Sequence, residues 1–209
     1  MSQHSAIAPV TWVILILCTV PELLLSGADA GLLGDRGWRG DVYEFGAFWG
    51  GLLHDWQPNY PGQPWLMFIT YGFLHGGLVH LVMNMTVFVS LAKALVEALG
   101  QIRFLLLYTV SLIMGALFFA LLGAQDAPMV GASGAIFGLV GAYLTRNGIR
   151  RARIGAALRP VLDSVIVLIL LNIALWWVLD GQLAWEAHLG GFIAGVAFTL
   201  VSGPRRRVG

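Results

Sequence analysis

Long apolar runs constrain the fold of this chain more than any other feature of its sequence. A helix needs about 20 mostly apolar residues to cross the ~30 Å hydrocarbon core of a bilayer. Six runs reach or approach that length, at about 7–26, 68–96, 102–122, 129–145, 161–179 and 185–202. The sequence therefore predicts an all-α polytopic membrane protein, with residues 1–209 forming a single domain built as a bundle of six transmembrane helices.

The composition excludes a soluble globular domain. Of the 209 residues, 58% are hydrophobic and 11% are charged, whereas about 25% of a soluble domain is charged. The single Cys18 lies in the first run, so a disulfide framework or thiolate metal site is excluded. Residues 1–20 contain no Lys or Arg, so the first run lacks the basic region of a signal peptide and is expected to remain as a span.

The basic residues predict the orientation of the chain in the membrane. If the N-terminus is cytoplasmic, ten of the twelve Lys and Arg residues lie in cytoplasmic segments, and only Arg36 and Arg39 lie outside. Because cytoplasmic loops are enriched in basic residues, we expect both termini in the cytoplasm. The basic stretch 146–159 is then a cytoplasmic loop, and no nucleic-acid partner is expected.

The longest connection, about 27–67, lies on the outer face in this topology. It contains eight aromatic residues among several carboxylates, a mixture suited to the headgroup level of a membrane. We expect a partly embedded hairpin. The alternative is an ordinary extracellular loop packed on the bundle.

Ser133 and His188 are predicted to lie at similar depth. The second, fourth and sixth spans all run from outside to inside, and these two residues lie near the starts of the fourth and sixth. The fourth span, 129–145, has about 17 residues and a length of about 25 Å, so its N-terminus is expected below the outer edge of the hydrocarbon core. The loop before it, 123–128, must then dip inward and be surrounded by protein or a water-filled cavity.

Small residues on the fourth and sixth spans favour close helix packing. Gly134 and Gly138 form one small-xxx-small pair, and Gly191 and Gly195 form another. Two backbones that approach closely let a serine hydroxyl reach an imidazole at ~3 Å, which is the minimum for acyl transfer. The alternative is that the glycines only pack helices and Ser133 is a small interface residue.

His80 and Asn84 are four residues apart and therefore share one helical face. Both can donate hydrogen bonds to a developing oxyanion, although they could equally be interhelical hydrogen-bond partners. His75 lies about 140° away from His80 on an ideal helix, so a metal site on this pair is not supported. We expect neither a metal nor any other cofactor.

Three motifs together resemble those of the rhomboid family of intramembrane serine proteases. They are His75-x4-His80-x3-Asn84, Gly131-Ala132-Ser133-Gly134 and Ala187-His188-x2-Gly191-x3-Gly195. The resemblance covers about 65–198, and the chain is similar to the compact six-span form common in bacteria. It departs from the family in one place, because many members carry a Trp-Arg pair shortly before the histidines, whereas Trp65 is followed by Leu66.

The resemblance implies a role for each of these residues. Ser133 is expected to be the nucleophile and His188 its general base, a dyad without a carboxylate partner. His80, Asn84 and the backbone N–H of Ser133 are expected to form the oxyanion hole, with Gly131 shaping it. The supporting positions are Phe137, which is expected to pack against His188, and His75, Gly134, Gly191 and Gly195.

The function implied by the resemblance is that of an intramembrane serine endopeptidase. Its expected substrates are the transmembrane helices of single-pass proteins in the lipid bilayer, and its expected place is the bacterial inner (plasma) membrane, with the active site open to the outer face. One alternative is a non-catalytic rhomboid-like protein that binds membrane clients, and the presence of Ser133 and His188 argues against it. The other alternative is a transporter or channel, which is disfavoured because no charged residue clearly lies in mid-span.

Overall fold

The computed structural model describes residues 7–203, and within that range the regular secondary structure is helical apart from one isolated β-bridge between Phe48 and Met129. Short 3₁₀ turns occur at Gly50–Leu53 and Tyr71–Phe73. The eight α-helices are α1 (Pro9–Asp29), α2 (Trp38–Gly46), α3 (Gln63–Thr70), α4 (Leu78–Leu99), α5 (Gln101–Leu122), α6 (Ser133–Arg153), α7 (Arg159–Val178) and α8 (Trp185–Ser202).

The long helices differ in hydropathy and in how many of their residues are buried. By length and composition, α1, α4, α5 and α7 are each able to cross a membrane. The other two long helices, α6 and α8, are richer in glycine and each bury eight residues, as α5 also does, whereas α7 buries none. Helices that contact protein rather than lipid favour small residues over bulky apolar ones. The expected all-α polytopic membrane bundle is confirmed.

Glycine sets the close approach of α6 and α8. A Cβ on Gly191 would collide with the carbonyl oxygen of Gly134, and a Cβ on Gly195 would collide with that of Gly138. Only glycine allows helix backbones to pack at this separation. The contact places the first turn of α6 against the first two turns of α8.

The second predicted span, 68–96, is wrong as a single helix. The structure has α3 ending at Thr70, a 3₁₀ turn over Tyr71–Phe73, and α4 beginning only at Leu78. Gly77 precedes α4 with a φ of 109°, a conformation that interrupts a right-handed helix and that glycine adopts readily. The apolar run therefore contains a break, which hydrophobicity alone did not reveal.

The fourth predicted span, 129–145, is wrong at both ends, because α6 runs from Ser133 to Arg153. Before the helix, Met129 pairs with Phe48 and Gly131 has a φ of 124°. At the other end the last turn carries basic residues, which the negative end of the helix dipole favours. The whole of α6, including this basic turn beyond the predicted span, is about 31 Å long. The other four long helices begin and end within about three residues of the predicted runs.

Phe48 is the aromatic residue of the connection 27–67 that lies deepest in the bundle. Phe48 is fully buried and makes edge-to-face contacts with Phe68, Tyr71 and Phe119 at centroid distances of 5.0, 6.1 and 6.0 Å. Its backbone N–H and carbonyl both pair with Met129. This connection therefore positions the segment that leads into α6.

Candidate active site

Ser133 is the first residue of α6, at the end of a tethered non-helical segment. Two residues earlier, the N–H of Gly131 donates to the carbonyl of Tyr71 at 3.0 Å. Two residues before that, Met129 is held by its bridge to Phe48. The first N–H groups of a helix have no partner within the helix and carry the positive end of its dipole. The hydroxyl of Ser133 thus lies where negative charge is favoured.

The structure brings the side chains of Ser133 and His188 together. The distance from Ser133 Oγ to His188 Nε2 is 2.9 Å. His188 lies in the first turn of α8 and is only 7% exposed. The pair forms because Gly134 of α6 packs against Ala187 and Gly191 in the first two turns of α8, where glycine allows the backbones to touch. A hydroxyl and an imidazole in this contact can act as nucleophile and base.

Phe137 supports the imidazole from one side. Its ring stacks on that of His188 with the centroids 4.1 Å apart and an angle of 5° between the planes. Phe137 is one turn after Ser133 on α6, so the two side chains share a helical face. The stacking limits rotation of the His188 ring.

Asn172 of α7 contacts the other nitrogen of the same imidazole, and nothing in the sequence analysis singled it out. The distance from Asn172 Oδ1 to His188 Nδ1 is 2.6 Å. The sequence does contain a signal for it, because Asn172 is the lone amide within the apolar stretch 165–175. Polar side chains in a membrane span are costly and usually face a partner.

Gly131 lies against His80 and Asn84. A Cβ at Gly131 would be 2.8 Å from His80 Cε1, 3.0 Å from His80 Nε2 and 3.9 Å from Asn84 Nδ2. The space beside Gly131 is therefore kept free by the lack of a side chain. Two residues separate it from Ser133, so this space adjoins the candidate nucleophile.

His80 and Asn84 both direct a donor at this space. Asn84 Nδ2 is buried and has no hydrogen-bond partner among the described residues. The Nδ1 atom of His80 accepts a hydrogen bond from the N–H of Gly76 at 3.2 Å, which leaves Nε2 to carry the proton of the neutral ring. A buried donor without a partner is costly. A ligand oxygen beside Gly131 would satisfy both donors.

His75 lies behind His80 and precedes α4 rather than belonging to it. It is fully buried, and its ring meets that of His80 edge to face at 5.2 Å. The predicted 140° separation on one helix is therefore wrong, because Gly77 breaks the helix between the two residues. Within residues 7–203, no group of three or more His, Cys, Asp or Glu side chains is arranged to hold a metal ion.

Comparison of the sequence with known proteins identifies the family of this chain. A model of the rhomboid domain matches residues 61–205. The chain belongs to the rhomboid family. Relatives include RHOMBOID-like protein 6, mitochondrial, of Arabidopsis thaliana, which is 34% identical over 72% of this chain and 48% of its own length. The putative rhomboid protease YdcA of Bacillus subtilis is 35% identical over 68% of this chain and 71% of its own length.

Some relatives in this family are considerably longer proteins. The rhomboid protease GluP of Bacillus subtilis is 33% identical over 63% of this chain but only 25% of its own length. The chain spans about half the length of the first two plant relatives that it matches. The shared region contains the helices that carry both candidate motifs around Ser133 and His188.

An arginine that sequence reasoning missed, Arg39, contacts the backbone of His75. The guanidinium of Arg39 donates to the carboxylates of Glu22 and Asp29 at 2.8 and 2.7 Å and to the carbonyl of His75 at 2.9 Å. The hydroxyl of Tyr43 donates to the same carbonyl at 2.6 Å. We refer to these five residues as the Arg39 network. It joins α1 and α2 to the turn before α4.

Both donors of the Arg39 network stay protonated. The pKa of Arg39 is raised above its ordinary value, chiefly by the hydrogen bond to Glu22, and burial raises the pKa of Tyr43. A group whose pKa is raised by folding stabilises the folded protein at any pH below its pKa in the unfolded chain. That stabilisation is lost only as the pH rises through its pKa in the folded protein. For Arg39 that window lies at strongly alkaline pH, so the guanidinium remains charged near neutrality.

A cavity of about 470 Å³ opens between α6, α7 and α8 beside the candidate pair. His188 and Asn172 line it with polar atoms. The rest of its lining is apolar or aromatic and consists of Phe137, Val165, Leu168, Ile169, Ile173, Trp176, Trp185, Leu189 and Phe192. Such a lining suits an apolar segment that contacts the imidazole at one end.

Proposed function

We propose that this rhomboid is an intramembrane serine endopeptidase that cleaves transmembrane segments of other membrane proteins. The observation that carries the proposal is the 2.9 Å contact between Ser133 Oγ and His188 Nε2 at the N-termini of two packed helices. Relatives named as rhomboid proteases support the same class of reaction.

The proposed first step is attack by the serine on a substrate carbonyl. Ser133 Oγ forms a bond to the carbonyl carbon while its proton passes to His188 Nε2. The carbonyl oxygen becomes an oxyanion in the space beside Gly131, where His80 Nε2–H, Asn84 Nδ2–H and the first amides of α6 can donate to it. Donors that are already in place need no reorganisation when the charge forms.

The proposed second half of the reaction returns the proton and consumes water. His188 gives the proton to the leaving amine, and the acyl-enzyme on Ser133 remains. A water then attacks the ester with His188 again acting as base, which releases the second product and restores the hydroxyl. The site therefore needs access to water, which the proposed topology supplies from the outer face.

The substrates are proposed to be single-pass membrane helices that unwind locally. An intact helix hides its carbonyls in its own hydrogen bonds, and in hydrocarbon those bonds are costly to open. The polar groups beside Gly131 and the apolar cavity next to Phe137 would receive an unwound segment. The protein is proposed to lie in the bacterial inner membrane, as its similarity to the compact six-span form implies. Both termini are proposed to be cytoplasmic, on the distribution of basic residues.

Cleavage of a tagged transmembrane substrate by the purified protein tests the proposal. Ser133→Ala and His188→Ala are each expected to abolish cleavage, and Ser133→Ala is expected to abolish labelling by a fluorophosphonate while leaving the thermal midpoint near that of the parent. The matched control is Ser90→Ala, because the Ser90 hydroxyl bonds only to its own helix, at the carbonyl of Thr86. Retained cleavage by Ser133→Ala would exclude this residue as nucleophile. Binding of substrates without cleavage by the parent protein would favour the non-catalytic alternative.

A further inference from the structure

We propose that Asn172 is a positioning residue that holds His188 in the tautomer required to deprotonate Ser133. The inference rests on the proposed serine protease function and deepens it. In place of an isolated dyad, it assigns a chain of hydrogen bonds, Ser133–His188–Asn172, whose third member comes from α7. The contacts around the Asn172 amide carry the argument.

The orientation of the Asn172 amide follows from its two partners. Its Nδ2 donates to the carbonyl of Leu168 on the same helix at 2.9 Å, and its Oδ1 faces His188 Nδ1 at 2.6 Å. A flipped amide would place its oxygen against the Leu168 carbonyl oxygen, where neither atom can donate. The oxygen therefore points at the imidazole, and it can only accept.

An obligate acceptor at Nδ1 determines the tautomer of a neutral imidazole. Because Asn172 Oδ1 accepts, His188 Nδ1 must carry the proton, which leaves the lone pair on Nε2 for the hydroxyl of Ser133. The opposite tautomer would present an N–H to the serine and could not act as base. When His188 takes the serine proton, the bond from Nδ1–H to the amide becomes charge-assisted and stronger.

The same bond is also the main polar link between α7 and the rest of the protein. α7 has no buried residues. Among the described residues, the remaining side-chain hydrogen bonds and ion pairs of α7 stay within the helix, at Ser164, Asn172 and Arg159. The amide on this otherwise apolar stretch is thus directed at the imidazole. The orientation of the candidate base consequently depends on where α7 lies.

Three variants separate this positioning role from a packing role. Asn172→Leu keeps a side chain of similar size and removes the acceptor, whereas Asn172→Asp keeps an acceptor and removes the donor to Leu168. Ser164→Ala is the control on the same helix, because Ser164 bonds only to the carbonyl of Pro160. Each is compared with the parent for kcat and KM on a transmembrane substrate, for the fluorophosphonate labelling rate, and for the thermal midpoint.

A spectroscopic readout reports the tautomer directly. In protein labelled with ¹⁵N-histidine, the two ring nitrogens of His188 are assigned by their loss in His188→Ala. The parent is expected to show a protonated Nδ1 and an unprotonated Nε2 for neutral His188. Asn172→Leu is expected to shift this signal toward a mixture of tautomers, whereas Ser164→Ala should not change it.

The expected kinetic result is a fall in kcat of about 10- to 100-fold for Asn172→Leu, with KM and thermal midpoint close to those of the parent. This is smaller than the ~10⁴-fold loss when a carboxylate partner is replaced in a Ser-His-Asp triad, because an amide carries no charge. Asn172→Asp is expected to recover most of the activity. An Asn172→Leu protein with the parental kcat and tautomer signal would overturn the role of Asn172 but not the proposed roles of Ser133 and His188. Activity in Ser133→Ala would instead overturn the proposed function itself.

Discussion

At the scale of single residues, the candidate site consists of groups whose hydrogen-bonding capacity is incompletely used within the protein. Asn84 Nδ2 is buried without a partner among the described residues, and His80 uses Nδ1 on Gly76, which leaves its other nitrogen free to donate. A side chain that served only to join helices would use its donors on a neighbouring helix. These two residues therefore fit an oxyanion hole better than a structural contact.

Alanine at either of these two positions distinguishes the two roles. His80→Ala and Asn84→Ala are expected to lower kcat by about 10- to 1000-fold, the scale of losing one oxyanion donor, with little change in KM. A structural hydrogen bond would instead cost stability, about 0.6 kcal/mol on average in a membrane protein. Thr86→Ala is the control, because the Thr86 hydroxyl bonds to its own helix at Val82. Unchanged kcat together with a lower thermal midpoint would remove both residues from the proposed site.

At the scale of elements, the contact between α6 and α8 determines whether the candidate pair can form. Gly191 and Gly195 on α8 lie directly over carbonyls of α6. A backbone carbonyl cannot rotate away as a flexible side chain does, so an added methyl group must separate the helices. Ser133 and His188 lie in the first turns of these same helices, so their contact depends on the distance between the two helices.

Single methyl groups test this helix contact. Gly191→Ala and Gly195→Ala are each expected to lower the free energy of unfolding by roughly 1–3 kcal/mol, as overpacking does, and to reduce the fluorophosphonate labelling rate of Ser133. Gly148→Ala on α6 is the control, because a Cβ there meets only Val161 Cγ1 at 4.0 Å. Thermal denaturation and labelling are measured for all three. Parental behaviour of both α8 variants would mean that the helices are not packed this closely.

The Arg39 network acts at the same scale, because it joins α1, α2 and the turn before α4. Glu22 is fully buried, and removal of its arginine partner leaves a carboxylate in a poor environment. Arg39→Met is therefore expected to lower the free energy of unfolding by up to about 3–5 kcal/mol. The double variant with Glu22→Gln should lose less than the sum of the two single changes. The control is Arg36→Met, because Arg36 is a neighbouring arginine that is exposed. Equal thermal midpoints for Arg36→Met and Arg39→Met would contradict a stabilising role of the Arg39 network.

At the scale of the whole molecule, the proposed orientation separates the two ends of α6. Its N-terminus carries Ser133, and its C-terminus carries Arg150, Arg151 and Arg153. Basic residues are enriched on the cytoplasmic side, so the serine end is expected to face outward. Water needed for hydrolysis would then come from the outer face.

Cysteine labelling in intact cells tests this orientation. Cys18 is buried and is the only cysteine, so Cys18→Ser provides a silent background. In that background, Asp126→Cys in the loop before α6 is expected to react with a membrane-impermeant maleimide. Ala157→Cys in the loop after α6 is expected to react only after permeabilisation. The reversed pattern would show that the N-terminus of the chain lies outside.

Periodicity and composition were sufficient to predict an all-helical membrane bundle, because hydrocarbon admits few other structures. Spacing was sufficient to place Ser133 and His188 near the starts of two helices that glycine allows to touch. These features could be predicted because each depends on local sequence: the length of an apolar run, the positions of small residues, and one helical face.

Tertiary structure alone decided which distant groups meet. Hydrophobicity did not reveal the break at Gly77, because a glycine within an apolar run can be helical until its neighbours require a positive φ. Arg39 reaches the carbonyl of His75 across 36 positions of the chain, and Asn172 reaches His188 across 16. Both contacts depend on how separate helices are placed against one another, and that placement follows from the packing of the whole bundle rather than from any local pattern.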